Sequence, residues 1–583
     1  MCIRDRYIGI DFGTSNSVVA NFQYGQAEVV PNHEGLKWTP SIVTLRRDGT
    51  LAFGQEAKEN FDEQRSIRSI KRILGTPERV PLVGQNLRTE QIAVMLFSLL
   101  KKDAEGVLGE SFNKAVVTIP ANSKGLARHA TKLCAGASGL QVLTLINEPT
   151  AAAICYGLNA QDDQTVLVYD FGGGTLDVTI LKIHHGIFEE VASKGIGKLG
   201  GDDIDALIAK MLAERFQDKT GFDILNSPYK QQFMLAVERA KIDLSADQTA
   251  VARKAELVPE RHLSLEEEIS RGEFERVVMP LIVKSGTAID EAMKLAKLRP
   301  RDIDRVLLVG GTGKIPLVRR YVAEKLAGKE PESFDRVDPM TCVAQGAAIV
   351  SAILQGAPGL DNYAYSVKLE HSLCANPVDQ RTNRVFLDPI VKRGSDIPCS
   401  FSKMYYPVAD PADRVMISVY EGDTYDNPES PENVKLAEIP WEFKPPRPQR
   451  DGGLDVSFEY GDDGILTVQI HDQYAGQKKR FAIQQAGEDQ MDASQLIKLK
   501  RINEELVNRT MELENTQEFK DAVEVLKKTE QDVIPRIDNP EDRRELEDLC
   551  RAVRQSMGSG DKKKMEEASA TLNDRLLNYA YLL

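Results

Sequence analysis

Two carboxylates and a run of glycines stand where a polyphosphate site needs them. In 166–181, VLVYDFGGGTLDVTIL, Asp170 and Asp177 flank Gly172, Gly173, Gly174 and Thr175. Consecutive backbone N–H groups in such a turn form an anion-binding nest that no side chain obstructs. Flanking aspartates suit a divalent cation or its water shell, the usual companion of a polyphosphate. Taken by itself the stretch also fits a glycine hairpin with two solvated aspartates. The positioning elements are β-former runs, Val166–Tyr169 and Val178–Leu181, so a tight hairpin is predicted.

A second copy changes the weight of that reading. Residues 7–22, YIGIDFGTSNSVVANF, repeat the plan of strand, Asp11, Phe12, Gly13, Thr14, polar turn and strand, ~160 residues upstream. Two such units predict a duplicated fold with two phosphate-binding hairpins facing one cleft. A third stretch, 306–316, VLLVGGTGKIP, is a buried strand ending in Gly310 and Gly311, where an adenosine could lie against bare backbone. Three look-alikes fail. Gly313–Lys314 has Leu308 where a P-loop needs its first glycine and Ile315 where it needs Ser or Thr. The GIGKLG of 195–200 lacks the acidic residue of a dinucleotide fingerprint. Neither Asp-Phe-Gly is accompanied by a kinase catalytic loop.

The ordered set resembles the heat-shock 70 kDa (DnaK-like) chaperone family, within the actin, sugar-kinase and chaperone ATPase superfamily. Two further segments carry the resemblance, INEPTAAAICYGL at 146–158 and MTCVAQGAAIVSA at 340–352. It runs from about Tyr7 onward and is densest before residue 356. It implies a duplicated α/β actin-like ATPase domain, then an antiparallel β-sandwich and a C-terminal helical lid.

Composition is compatible with that. The 583 residues suggest about three folding units. Apolar residues at 42% and charged ones at 28% are ordinary for a globular chain. A net charge of −14 argues against nucleic acid or an anionic membrane as the main partner. Seven cysteines without a CxxC pair favour a reducing compartment. The longest apolar run, Ile92–Leu100, is too short to span a bilayer and no signal peptide is read, so the expected location is cytoplasmic. Residues 1–6, MCIRDR, are patternless and carry no part of the reading.

The resemblance assigns roles by position. In SIRSIKRILG (66–75) it makes Lys71 the γ-phosphate lysine, where the residue alone reads as solvated. Glu148 becomes the water-positioning carboxylate; its other reading is a helix N-terminal acid favoured by the dipole. Asp177 and Thr175 join these as catalytic residues, and Asp11 and Asp170 hold the Mg²⁺ shell. Gly13, Thr14, Ser15, Gly172, Gly173, Gly174, Gly200 and Gly201 cradle phosphates. Glu238, Lys241 and Ser245 share one face of a helix over 231–245 and, with Gly310 and Gly311, hold adenosine; by spacing alone they form a salt-bridge stripe. Pro120 and Arg128 are the interdomain relay. Implied cofactors are ATP and ADP with Mg²⁺, and K⁺ as a candidate further cation. Implied partners are unfolded polypeptide clients, a J-domain co-chaperone and a nucleotide exchange factor, with no nucleic acid and no membrane.

Departures from the family pattern are local. Residues 77–89 replace a longer insertion, so part of the outer lobe is trimmed. Asn122, Ser123 and Gly125 stand between the relay residues, and Ile196, Gly197 and Lys198 precede Gly200. At 354–364, LQGAPGLDNYA, the linker's leucine run is broken by Ala357, Pro358 and Gly359. The expected division is an ATPase domain at 7–356, a linker at 357–364, a β-sandwich at 365–487 and a lid at 488–583.

In the β-region, period-two runs at 415–420, 454–460 and 466–470 are separated by turn residues. KRGSDIP (392–398), VYEGD (419–423) and DGILTV (463–468) carry the resemblance there. It places Met404, Tyr405, Val408, Val415 and Ile417 along a peptide cleft, whereas apolar strand residues are ordinarily core. Beyond 488, Leu496, Leu499, Ile502 and Leu506 form one helical stripe and Met565, Leu572, Leu576 and Tyr579 another, with Pro535, Pro540 and Gly558–Gly560 as breaks between about four helices. The function these readings support is ATP-driven binding and release of exposed apolar peptide. A small-molecule kinase of the same superfamily is argued against by the β-region; a nucleotide-gated scaffold for one partner is the alternative.

Overall fold

A computed structural model describes residues 6–582 apart from 47–49, 63–64, 83–84, 122, 124, 158–162, 185–186, 336, 361–368, 370, 380, 431–432, 462–465 and 484–511. The stripe Leu496, Leu499, Ile502 and Leu506, the linker's Asp361 and the turn at 462–464 therefore lie outside the described residues.

The chain is mixed α/β, in two mixed-sheet lobes, an all-β unit and a helical bundle. Lobe I is built on β1 (Tyr7–Asp11), β2 (Asn16–Gln23), β3 (Gln26–Val30), β4 (Lys114–Ile119) and β5 (Gln141–Asn147), in the order β5-β4-β1-β2-β3. Its helices are α1 (Gly54–Glu59), α2 (Thr89–Leu108), α3 (Gly125–Ala137) and α4 (Glu148–Cys155). Lobe II repeats the hairpin-plus-parallel-strand plan. Here β6 (Gln164–Phe171) pairs antiparallel with β7 (Leu176–His184) and parallel with the later strand β11 (Arg305–Val309), and β8 (Ile187–Ile196) closes the sheet as β8-β7-β6-β11. Further elements are α5 (Gly201–Thr220), α6 (Lys230–Ala246), the hairpin β9 (Thr249–Val258) and β10 (Leu263–Ser270), α7 (Arg271–Ala296), β11 (Arg305–Val309), α8 (Pro316–Lys325) and α9 (Cys342–Leu354). β6 reads as a continuous apolar run because Val166, Leu167, Val168 and Tyr169 are buried on both faces.

The alanine-rich strings explain how the lobes join. α9 lies so close to β1 that a Cβ on Gly9 would stand 2.2 Å from the Ala348 nitrogen, and one on Gly346 would stand 1.8 Å from the Ala151 carbonyl of α4. Ala151, Ala152, Ala153, Ala344, Ala347 and Ala348 are buried, and no larger residue fits such a crossing. At the end of α9 the chain turns at Gly356 (φ +66) and buries Ala357 among Val18, Ala20, Phe22 and Ala344, with Leu360 packed beside it. The linker expected from 357 thus starts inside lobe I packing. Pro358 and Gly359 break a leucine pattern without freeing the chain at that point. Within 77–89, Arg79–Leu82 pairs antiparallel with Gln85–Arg88.

The all-β unit encloses one core between two antiparallel sheets. With β12 (Leu373–Ala375), β13 (Asp388–Val391), β14 (Cys399–Tyr405), β15 (Ala412–Glu421), β16 (Val434–Arg447), β17 (Leu454–Tyr460), β18 (Leu466–Asp472) and β19 (Gln477–Ile483), the orders are β13-β12-β15-β16 and β14-β17-β18-β19. The alternation at 454–460 and 466–470 is core-facing as expected, since Leu454, Val456, Phe458, Leu466, Val468 and Ile470 are buried. Helices α10 (Gln517–Lys527), α11 (Pro540–Ser559) and α12 (Lys562–Leu576) bury Phe519, Leu526, Val553, Met565, Leu572, Leu576 and Tyr579 together. Pro540 opens α11 and Gly560 (φ +68) ends it. Gly558, expected as part of that break, is inside α11: a Cβ there would stand 2.3 Å from the Asn60 side chain of lobe I, so glycine is needed for contact. Over 512–582, the region expected as a lid docks on the two lobes through Arg554, Phe519 and Glu547. Among the described residues no helix is long and apolar enough to cross a membrane.

The crossing can be tested by its sign. Gly→Ala in a helix ordinarily stabilises by up to about 1 kcal/mol. Gly106→Ala in α2, with open space around it, is expected to follow that rule. Gly346→Ala is expected to destabilise by about 1–3 kcal/mol in urea denaturation, because overpacking against a backbone carbonyl outweighs propensity.

Candidate functional site

Lobe I and lobe II meet at the turns of their hairpins. β1 ends in Asp11 and β6 carries Asp170 one residue before its end, directly opposite Asp177 in the lobe II hairpin. The Ser15 hydroxyl of the first turn lies against Gly173 of the second; a Cβ on Gly173 would come within 2.3 Å of it. A Cβ on Gly200 would meet the Gly173 carbonyl at 2.3 Å, and one on Gly310 (φ +81) would meet the Phe171 carbonyl at 2.5 Å. Gly200 and Gly310 are therefore required by close backbone approach. The Gly201 N–H donates to the Gly172 carbonyl (3.1 Å), the Asp202 N–H to that of Gly173 (2.7 Å), and the Thr312 hydroxyl to that of Gly172 (2.8 Å). Gly311 packs against Met340. Gly13 and Thr14 complete the first turn, where the Gly13 carbonyl accepts from Ser41 Oγ (2.8 Å).

Beneath the turns sits a charged cluster. Lys71, on a 3₁₀ turn at Ile70–Ile73, donates to Glu148 at the start of α4, and the two side chains are only 8% and 13% exposed. Asp11 accepts from the Thr118 hydroxyl of β4 at 2.8 Å. Burial, then the Glu148 charge, pushes Asp11 up to about 6 against the pull of Lys71. Asp170 is raised well above the usual carboxylate range by burial and by Glu148, Asp177 and Asp11. Burial would lower Lys71, but Glu148, Asp11 and Asp170 outweigh it and hold the ammonium charged. One cation among these carboxylates leaves an uncompensated negative centre, which suits a hydrated divalent cation.

The helix face of α6 engages the cleft from lobe II. Lys241 Nζ pairs with Asp205 Oδ2 of α5 at 2.7 Å and lies 3.4 Å from the Gly201 carbonyl. Glu238, expected on the adenosine face, pairs with Lys58 of α1 at 2.7 Å and so spans the two lobes. Ser245 lies one turn further along the same helix, half-buried. Pro120 ends β4 and accepts from Ser123 N at 3.0 Å, while Arg128 on α3 reaches Asn147 Oδ1 at 3.5 Å.

Several residues were missed by the motif reading. Arg72 lays its guanidinium over Gly174, where a Cβ would meet its Nη2 at 1.7 Å, with Asp202 4.0 Å away. Lys58, Thr118, Asp202, Asp205 and Thr312 join the cleft through the contacts above. Asp202 was signalled by its place just after Gly200–Gly201; Lys58 and Thr118 arrive from elements whose local sequence carries no signal.

The five residues expected along a peptide cleft divide. Met404 (38%) and Val408 (58%) are exposed, as are Phe401 (48%) and Met416 (55%), which were not singled out. Tyr405, Val415 and Ile417 are half-buried against the β-unit core, and Tyr405 donates to Asp388 Oδ2 at 2.8 Å.

A two-lobed cleft with paired glycine turns and a buried acid–lysine floor defines a phosphate-handling protein of mixed α/β class. The sequence model described as Hsp70 protein matches residues 7–581, and the chain belongs to the Hsp70 family. Similar proteins include the chaperone protein DnaK of Thermotoga neapolitana, 37% identical over 82% of this chain and 80% of the relative. Those of Thermotoga petrophila and Thermosipho africanus are 35% and 33% identical over 96% of this chain, covering 94% and 93% of the relatives.

Asp11 offers a check on the cluster. A carboxyl whose folded pKa, about 6, exceeds its unfolded value of 3.8 costs stability as pH rises through that window, because the unfolded chain ionises more readily. Without ligand, Asp11→Asn is expected to be more stable than wild type at pH 7.5 by about 1–2 kcal/mol, with the advantage vanishing near pH 4. Chemical denaturation at the two pH values reads the difference.

Proposed function

We propose that the chain is an ATP-driven chaperone in which hydrolysis in the two-lobed cleft controls peptide binding by the β-unit. The duplicated hairpin lobes are read as an actin-like ATPase domain at 7–356, followed by a linker, a β-sandwich and a helical lid. The observation that carries the reading is Lys71 buried against Glu148 beside Asp11 and Asp170, beneath two glycine turns in contact. Relatives named as DnaK chaperones across nearly the whole chain support it.

Mg²⁺·ATP, when bound, supplies a phosphoanhydride and the cation that neutralises it. Among the described residues no three metal-binding side chains converge on one position; Asp11 and Asp170 are taken to hold the hydrated cation through its water. The turns at Gly13–Ser15 and Gly172–Gly174, with Gly200 and Gly201, are taken as the phosphate side; the N–H groups of Gly172, Gly200 and Gly201 are engaged within the fold, so Gly13, Thr14, Ser15, Gly173 and Gly174 are the ones proposed to turn theirs to phosphate oxygens. Lys71 places its charge toward the transferring phosphoryl group. Glu148, Asp177 and Thr175 orient the attacking water and accept its proton. Phosphoryl transfer needs little more than this positioning and charge compensation. Lys241, Ser245, Gly310 and Gly311 form the adenosine side, with Glu238 bridging to Lys58. Pro120 and Arg128 carry nucleotide state toward the β-unit. Clients are unfolded polypeptides, with a J-domain protein and an exchange factor as helpers.

Lys71→Ala is expected to lower single-turnover ATP hydrolysis by at least about 10²-fold while leaving nucleotide affinity within a few-fold, because the charge acts on the transferring group. A rate within about threefold of wild type would remove Lys71 from the mechanism.

Phe401, Met404, Val408 and Met416 expose apolar surface on the β-unit. Burying one such side chain is worth about 1.5–3 kcal/mol, so Met404→Asp is expected to weaken binding of a fluorescent apolar peptide by about tenfold or more, with the melting temperature unchanged. Val415→Phe, half-buried against the core, is expected instead to cost about 1–3 kcal/mol of stability.

A further inference from the structure

The residues at the end of α1 are held from two sides at once. From lobe II, Glu238 of α6 pairs with Lys58 at 2.7 Å, and Gln232 of the same helix donates to the Glu59 carbonyl at 3.5 Å. From the bundle, Arg554 of α11 reaches Glu34 Oε1 at 3.2 Å and Glu59 Oε1 at 3.4 Å, while Glu530 of the bundle itself holds the same guanidinium at 2.6 and 2.8 Å. The next residue, Asn60, donates its amide to the Arg554 carbonyl at 3.0 Å and sits against Gly558. Around this point Phe519 lies under Arg46 of lobe I, and Gln531 covers Gly35.

The bundle also reaches lobe II. Glu547, about two helix turns before Arg554, accepts from Arg239 of α6 at 3.1 Å. Arg239 neighbours Glu238 in sequence, so the bundle grips α6 beside the bridge that α6 makes to α1. The Arg554 side chain is 3% exposed. A guanidinium carried that deep, against carboxylates from lobe I and from its own bundle, marks a built contact, since an exposed pair would leave it in water.

We propose that the helical bundle is a clamp across the mouth of the cleft, which holds α1 of lobe I against α6 of lobe II and so slows nucleotide release. The inference rests on the nucleotide reading of the cleft above. Its physical basis is that phosphate turns, Lys71 and Lys241 come from different lobes. A nucleotide held by both leaves only when they part, and parting α1 from α6 pulls the bundle off one of them. Bundle docking and nucleotide retention are then the same event, and whatever draws the bundle away speeds exchange.

The test is the release rate of a fluorescent N-methylanthraniloyl-ADP from the full-length protein, chased with excess ATP in a stopped-flow instrument. Gly558→Leu removes the close approach to Asn60 while improving the helix propensity of α11, so the bundle itself keeps its fold; a far-UV circular dichroism melt verifies this. Release is expected to quicken by at least about fivefold, the lower end of ordinary coupling between sites. Arg239→Glu breaks the lobe II grip, together with the Arg239–Asp243 pair inside α6, and is expected to quicken release about two- to fivefold, as an exposed pair would. Arg239→Glu combined with Glu547→Arg is expected to restore the wild-type rate. Unchanged release in Gly558→Leu overturns the clamp, and so does a charge swap that fails to restore the rate. Failure of the wild-type protein to bind the nucleotide at all would instead refute the nucleotide reading, so the two outcomes are distinct.

Discussion

Lys71 is one cation placed among Glu148, Asp11 and Asp170 with little water to share the load. That imbalance is the constraint on which the cleft is built. A negative centre of this kind is tolerable only if each carboxylate is held, as Asp11 is by Thr118, and if a cation can be recruited to complete it. Keeping these carboxylates out of water costs stability, the usual arrangement where positioning outranks stability.

The rest of the two lobes serves to bring that centre under the turns. Four elements deliver it: β1 and β6 deliver aspartates near their ends, α4 a glutamate at its start, and a 3₁₀ turn the lysine. Their relative positions depend on α4 and α9 crossing at the distance of a missing Cβ, with Gly346 on one helix and Ala151 on the other. A chain with larger residues there would separate the helices and carry Glu148 away from Lys71. The small-residue strings thus set the geometry of the charged cluster, although they touch none of its members.

The same logic of shared residues extends outward. α6 carries Lys241 toward Asp205 and Gly201 on one turn, and Glu238 and Arg239 toward lobe I and the bundle on the adjoining one. A motion at the cleft and a motion of the bundle therefore act on one rigid helix. Arg554, buried between Glu34, Glu59 and Glu530, makes the far end of that linkage specific, because its guanidinium cannot be left unpaired cheaply.

What the chain determined by itself is local and periodic. The hairpins with Asp11, Asp170 and their glycines, the helix over 230–246, and the alternation at 454–460 and 466–470 follow from propensity, spacing and turn residues, which act over a few residues. The motif strings extended this to the family and to Lys71 and Glu148. Tertiary structure alone decided which partners these residues meet. Lys58 against Glu238, Arg72 over Gly174, Ala357 buried in lobe I and Gly558 against Asn60 join positions far apart in the chain, or set by helix-on-helix approach. Local patterns carry no record of such contacts. They are fixed by packing density and by the need to pair buried charge, and both are satisfied only once the whole fold is assembled.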